Sequence, residues 1–240
     1  MLVLGHRGAG GDFDENTLGA FQHALACGAD GIEFDVRLLD GELIVLHDDT
    51  LERTTDGRGH YKAMTLAALR ALRTSHGEHI PLLREVLDVV DGHGLVNIEV
   101  KEAGIGARVL EVIRPWLASH PGRAGDLLLS SFDVATTALL ARDHVDGTRL
   151  GILYASDEGL NAAIARAVSL GAWSVHLPLG DVNEMAIAHV HAGGLRALVY
   201  TVNAAADLAH CQACGVDGVF SDFPARTLAA IRGSGAADAS

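Results

Sequence analysis

Two short runs put carboxylates where a buried β-strand would carry apolar side chains. In 31–37 (GIEFDVR) alternation sets Ile32, Phe34 and Val36 on one face and Glu33, Asp35 and Arg37 on the other. The run 96–101 (VNIEVK) repeats the pattern, with Ile98 and Val100 opposed by Asn97, Glu99 and Lys101. Each apolar face must meet a core, so three carboxylates turn toward one interior, where an unpaired charge is costly. A hard divalent cation between them relieves the repulsion. All-oxygen ligation favours Mg or Ca, with Mn also suited, over zinc. The competing reading pairs the acids with Arg37 and Lys101 as structural ion pairs. Either run alone suits that reading, whereas both together favour a metal held by Glu33, Asp35 and Glu99.

His6 and Arg7 end the first apolar run and are followed by Gly8, Gly10 and Gly11, which places them where strand becomes loop. A second histidine, His47, ends the run 43–48, separated from the carboxylate strand only by Asp40 and Gly41, which is hairpin chemistry. Folding back about that turn brings His47 level with Phe34 and Asp35. Two histidines near a metal, with Arg7 and Lys101, amount to a general acid, a general base and two fixed cations for an oxyanion. Phosphodiester cleavage needs all of these. His176 ends a later strand beside Pro178, where it can line the pocket mouth or simply fill its wall.

These residues need a frame that points strand ends at one place. Strands are expected at 2–6, 31–37, 96–101, 127–132, 149–154, 173–177, 196–202 and 218–221. Helices are expected between them at 17–27, 83–90, 107–117, 134–142, 160–169, 183–192 and 205–214, with 227–232 closing. Eight such units imply a closed (βα)8 barrel, the TIM barrel, whose catalytic residues sit at the C-terminal rim. Periodicity cannot show closure, so an open doubly wound sheet is the alternative. The run 43–48 is read as an antiparallel arm over one barrel end, and 49–79 as a small excursion. Residues 1–232 read as one domain and 233–240 as a frayed tail.

Composition narrows the partners. With 18 Lys and Arg against 31 Asp and Glu, the net charge of −13 argues against a nucleic-acid or anionic-membrane surface. No apolar stretch reaches the ~20 residues of a membrane span, and residues 1–6 lack the order of a signal peptide, so a cytoplasmic location is expected. Only three cysteines exclude a disulfide framework; Cys211 and Cys214 form a C-x-x-C spacing, but with no second pair they read as packing in an Ala-rich helix. There is no G-x-S-x-G elbow for a serine hydrolase and no Gly-rich nucleotide loop.

Taken in order, the motifs resemble those of the glycerophosphodiester phosphodiesterases over nearly the whole chain. They are H-R-G at 6–8, E-N-T at 15–17, A-F-x-x-A at 20–24, G-A-D-G-I-E-F-D-V at 28–36 and D-G at 40–41. H-D at 47–48, L-E-R-T-T at 51–55, I-E-V-K at 98–101, T-V-N at 201–203 and G-V-D-G-V-F-S-D-F-P near the end follow. The resemblance implies a (βα)8 barrel hydrolysing glycerophosphodiesters to glycerol 3-phosphate and an alcohol. It implies Glu33, Asp35 and Glu99 as metal ligands, His6 and His47 as the acid/base pair, Arg7 and Lys101 as phosphate contacts, and Glu15 close to the metal. One departure is Asp14, where family members often have Pro before E-N-T, which is expected to loosen the first loop. Other barrel phosphodiesterases, of phosphoinositide or sphingolipid type, and a non-catalytic binding protein for phosphorylated polyols stand as alternatives. The attacking group, water or the substrate's own 2-hydroxyl, stays open at this stage, as do the preferred alcohol and the oligomeric state.

Overall fold

The structure, a computed structural model, describes residues 1–90 and 93–237. Its strands are β1 (Leu2–Gly5), β2 (Gly31–Leu39), β3 (Glu42–Val45), β4 (Leu95–Val100), β5 (Leu127–Ser131), β6 (Arg149–Leu153), β7 (Ser174–Pro178), β8 (Arg196–Tyr200) and β9 (Gly218–Ser221). All but β3 run parallel and form a ring, because β1 pairs with β9 on one edge, Val3 opposite Val219, and with β2 on the other, Leu4 opposite Gly31. The barrel is therefore closed, and the open-sheet alternative falls.

Helices α1 (Leu18–Ala26), α2 (Leu66–Ala71), α3 (Leu83–Val90), α4 (Gly106–Ser119), α5 (Val134–Asp143), α6 (Leu160–Ser169), α7 (Glu184–Ala192), α8 (Ala205–Ala213) and α9 (Pro224–Ala237) pack outside. Their apolar stripes are short but well spaced: α3 buries Leu83, Val86, Leu87 and Val90, the i, i+3, i+4, i+7 pattern. These meet Ile32, Phe34, Val36, Ile98 and Val100 in one continuous core, so the outward faces of β2 and β4 are the apolar ones and the carboxylate faces point inward. Thr17 starts α1 by accepting the Ala20 N–H at 3.2 Å, and Asp133 starts α5 by accepting that of Thr136 at 2.7 Å.

β3 is the hairpin arm. It runs antiparallel to β2, Leu39 opposite Glu42 through Val36 opposite Val45, about a two-residue turn in which Asp40 (φ 50°) and Gly41 (φ 81°) are both left-handed. The Leu46 N–H continues the ladder to the Asp35 carbonyl at 3.1 Å, which carries His47 to the rim. Since β2 holds β4 along its other edge, the edge that meets β1 near Gly31 is free to meet β3 further on. The arm thus fills the space beyond the end of β1.

Within the excursion, six residues form α2, a helix not anticipated from the sequence. It is less than two turns long and buries only Leu69, against Ile44, Leu51, Tyr61 and Ile80 in a separate small core beneath the arm, so it leaves little periodic signal. At the other end α9 begins at Pro224, a residue tolerated in a first helical turn, and runs past 232, where the sequence reading ends it, to Ala237. Residues 238–240 of the expected tail lie outside the described residues. No helix among the described residues is long and apolar enough to cross a membrane.

Candidate active site

Register sets the carboxylates together: Asp35 on β2 lies opposite Glu99 on β4, and Glu33 one pleat below, opposite Asn97. One oxygen from each of Glu33, Asp35 and Glu99 falls within 4.8 Å of the others, with all three side chains buried. Burial, reinforced by the Asp35 charge, pushes the pKa of Glu33 up to about 8, and the same two causes raise that of Glu99. Burial also opposes the charge on Asp35, but Lys101, Arg7 and an Asn16 hydrogen bond of 2.9 Å outweigh it and hold its carboxyl below the usual range. Three converging carboxylates, two of them resisting ionisation, form an oxygen donor set that fits a hard divalent cation.

Two cations flank the triad. Lys101 Nζ stands 2.7 Å from Glu99 Oε1 and 3.5 Å from Asp35 Oδ1. Arg7 adopts a left-handed backbone (φ 51°), uncommon for a side chain of its kind, and so turns back over the site. Its N–H donates to Glu33 at 3.0 Å, its Nε lies 3.5 Å from Asp35, and its Nη1 donates to Glu15 at 2.8 Å. Gly8 (φ 87°) makes this turn possible, because a Cβ there would come within 2.8 Å of Ala20. Arg37 points the same way but serves the arm: its Nε and Nη2 donate to the His47 carbonyl at 3.0 and 2.6 Å, and its Nη1 pairs with Asp49 at 2.6 Å. Lys101 thus takes part in the ion pairing considered from sequence, and Arg37 holds no member of the triad.

Each candidate histidine has an acid on Nδ1. His6 Nδ1 is 2.7 Å from Asp222, whose other oxygen accepts from Asn203 Nδ2 at 2.7 Å, and His6 Nε2 is 3.9 Å from Glu33. Burial works against a charged His6, yet the Asp222 hydrogen bond and the Glu33 charge prevail and raise its pKa. His47 Nδ1 is 2.6 Å from Asp48, which accepts from Arg53 Nε at 2.5 Å. Here burial prevails, helped by Lys101 and Arg7, and the pKa falls despite Asp35 and Asp48. Both rings therefore keep Nε2 for a ligand.

Glu15 joins the two halves of the rim rather than the triad, accepting from Arg7 and, through both oxygens, from Arg53 at 2.5 and 2.8 Å. Asp14, the departure before E-N-T, ties the first loop down. Its carboxylate takes the Ser75 hydroxyl at 2.5 Å and the His76 N–H at 2.8 Å, and these outweigh burial to hold it well below the usual carboxylate range.

His6, Arg7, Glu33, His47, Glu99 and Lys101 share one cavity of about 170 Å³, whose remaining wall includes Asn97, His176, Phe132 and Tyr200. His176 is fully buried there, not at the mouth. Asp222, Asp48, Asn16, Arg53 and Asn203 were not singled out from sequence, although the E-N-T, H-D, L-E-R-T-T, T-V-N and F-S-D motifs contain them. Away from the site, Cys211 packs inside α8, where burial pushes its thiol up to about 11.

A family model described as the glycerophosphoryl diester phosphodiesterase family matches residues 6–226. The chain belongs to this family. Membership makes it a phosphodiesterase, and the match opens on His6 and spans every residue of the cavity described above. Similar family members include a glycerophosphodiester phosphodiesterase of Bacillus altitudinis, 33% identical over 94% of this chain and 96% of that one. Another, from Caldanaerobacter subterraneus subsp. tengcongensis, is 31% identical over 98% and 99%. Among solved structures, an Oleispira antarctica phosphodiesterase in complex with the product sn-glycerol-3-phosphate matches with a TM-score of 0.85 at 28% identity, over 97% of each chain.

Proposed function

We propose that this chain hydrolyses glycerophosphodiesters to glycerol 3-phosphate and an alcohol, with Glu33, Asp35 and Glu99 holding Mg or Ca, or alternatively Mn. The observation that carries the reading is the convergence around one cavity of three buried carboxylates, two cations and two histidines, each with Nδ1 on an aspartate and no hydrogen bond on Nε2 among the described residues. The Oleispira antarctica relative, bound to sn-glycerol-3-phosphate, supports the product.

A bound divalent cation supplies positive charge to the phosphoryl group. Arg7 and Lys101, already desolvated, add fixed donors for the negative charge that develops on the non-bridging oxygens. The lowered pKa of His47 leaves it neutral near pH 7, so its Nε2 takes the proton of the attacking group, either a water or the substrate's 2-hydroxyl, as the new P–O bond forms; in the second case a water then opens the cyclic phosphate to glycerol 3-phosphate. The raised pKa of His6 favours its protonated form, and in this role its Nε2 gives that proton to the alcohol oxygen as the old P–O bond breaks. Asp48 and Asp222 engage Nδ1 of their rings, which leaves Nε2 of each as the atom that exchanges the proton.

The test is release of glycerol 3-phosphate from glycerophosphocholine, glycerophosphoethanolamine and glycerophosphoglycerol by enzyme stripped with EDTA and reloaded with Mg, Ca or Mn. Turnover is expected to vanish on stripping and return with at least one of the ions. Undiminished turnover after stripping would remove the metal from the reading, and no release from any of the three diesters would remove the substrate class.

A further inference from the structure

Below the carboxylates the barrel interior passes from apolar to polar in one step. Its lower plug is Leu4, Leu95, Leu128, Leu198 and Phe220. Resting on that plug, with ring centroids 5.1 Å apart from Phe220, is the imidazole of His176. His176, Asn97 and Ser130 are all buried, and each has a side-chain atom without a hydrogen-bond partner among the described residues: Nδ1, Oδ1 and Oγ respectively. Buried polar atoms are seldom left unpaired, because each forfeits a bond it made to water in the unfolded chain. Two of the three residues, Asn97 and His176, line the cavity, and their unpaired atoms ask for a polar occupant.

The imidazole is held in place. Its Nε2 meets Ser174 Oγ at 2.9 Å, and β6 offers Gly151 beside it, where a Cβ would stand only 2.6 Å from Nε2. With Nε2 engaged, Nδ1 is the atom left for a ligand, and the residue lines the same cavity as Glu99 and Lys101. Burial pushes the pKa of His176 down to about 3, so the ring is neutral and offers a single donor or acceptor. That suits a hydroxyl better than a phosphate. The floor of a cavity this small also suits a three-carbon polyol, while Phe132, 41% exposed, lines its solvent-facing side.

We infer that His176 is a specificity-determining residue for the glycerol half of the substrate, its Nδ1 hydrogen-bonding the terminal hydroxyl, with Asn97 offering Oδ1 in the same wall. This rests on the function proposed above. A site built around a buried hydrogen bond rejects the analogue that lacks the hydroxyl, because the protein atom is then left unpaired.

The experiment compares glycerophosphocholine with the matched diester of propane-1,2-diol, which keeps the 2-hydroxyl and lacks the terminal one. For the unaltered enzyme kcat/KM is expected to favour the glycerol diester by about 10²-fold. In His176→Leu the two diesters are expected to converge to within about threefold, mainly by loss on the glycerol diester, and His176→Asn, with an amide in place of Nδ1, is expected to recover part of the difference. Gly151→Ala, which displaces the ring without touching its chemistry, is expected to narrow the ratio too. An unaltered enzyme that turns over both diesters equally overturns the inference while leaving the proposed function intact, and needs no variant to fold. Equal loss on both substrates in His176→Leu, with the ratio preserved, assigns the residue to packing and also overturns it. Failure to turn over either diester with any of the three ions counts against the proposed function instead.

Discussion

The two histidine–aspartate pairs use the same geometry on opposite kinds of support. His6 and Asp222 sit at the ends of neighbouring barrel strands, 216 residues apart in the chain, with Asn203 from the end of β8 as a third strut. His47 and Asp48 are adjacent in sequence on an arm outside the barrel, held by Arg37 through a backbone carbonyl and by Arg53, which is half exposed. The difference shows in electrostatics. At His6 the partner acids Asp222 and Glu33 outweigh burial and raise the pKa, whereas His47, more exposed but facing Lys101 and Arg7, loses its proton more readily. Under the proposed function, this difference in environment is what assigns the acid's role to one histidine and the base's to the other.

The severest way to break the comparison is to remove what both pairs serve. Asp35→Ala is expected to lower kcat/KM by 10⁴-fold or more while circular dichroism and thermal melting still report a folded barrel, because the change removes one acid of the triad and leaves Lys101 and Arg7 without their shared partner. Retention of more than a tenth of the activity would sever Asp35 from the chemistry.

Next come the histidines themselves. His6→Ala and His47→Ala are each expected to cost about 10² to 10⁴ in kcat on a choline or ethanolamine diester. With a p-nitrophenyl diester, whose leaving group departs without a proton, the His6 variant is expected to recover most of its rate and the His47 variant little. The opposite pattern would exchange the two roles.

Replacing the aspartates separates them by pH. The base must be neutral and the acid protonated, so kcat/KM is expected to rise through the pKa of His47, below 6.5, and fall through that of His6, above 6.5. Asp222→Asn removes a hydrogen bond that raises the pKa of His6 and is expected to pull the alkaline limb to lower pH, with a rate loss of about 10²-fold. Asp48→Asn removes one that raises the pKa of His47 and is expected to extend the acid limb to lower pH, with a loss nearer tenfold. Limbs that do not move in these directions would refute the assignment.

The smallest expected effect is that of Arg53→Ala. Its pairs with Asp48 and Glu15 lie at the surface, where such contacts contribute about 0–1 kcal/mol, so a fall in kcat/KM of about three- to tenfold is expected, relieved by neither higher nor lower metal concentration. A loss as large as that of His47→Ala would mean that the arm depends on this single residue.

Much of this architecture was legible in the residues. Strand alternation in 31–37 and 96–101 suffices to turn Glu33, Asp35 and Glu99 inward, since the alternative would expose Ile32, Phe34 and Ile98 to the barrel interior and bury carboxylates among the helices. The Asp40–Gly41 turn suffices to bring His47 beside Asp35, because two left-handed residues allow only a tight antiparallel return. Both are rules of short range, carried by a few neighbouring residues. Only the tertiary structure could join His6 to Asp222, for that contact exists because the ring closes between β1 and β9, Gly5 opposite Ser221, and no local pattern encodes which strand ends become neighbours. The same holds for Asn16, whose left-handed backbone aims its amide at Asp35, and for the floor of the cavity, where His176 rests beside Gly151. A strand's residues determine which way a side chain faces; what it faces is decided by the other strands of the barrel.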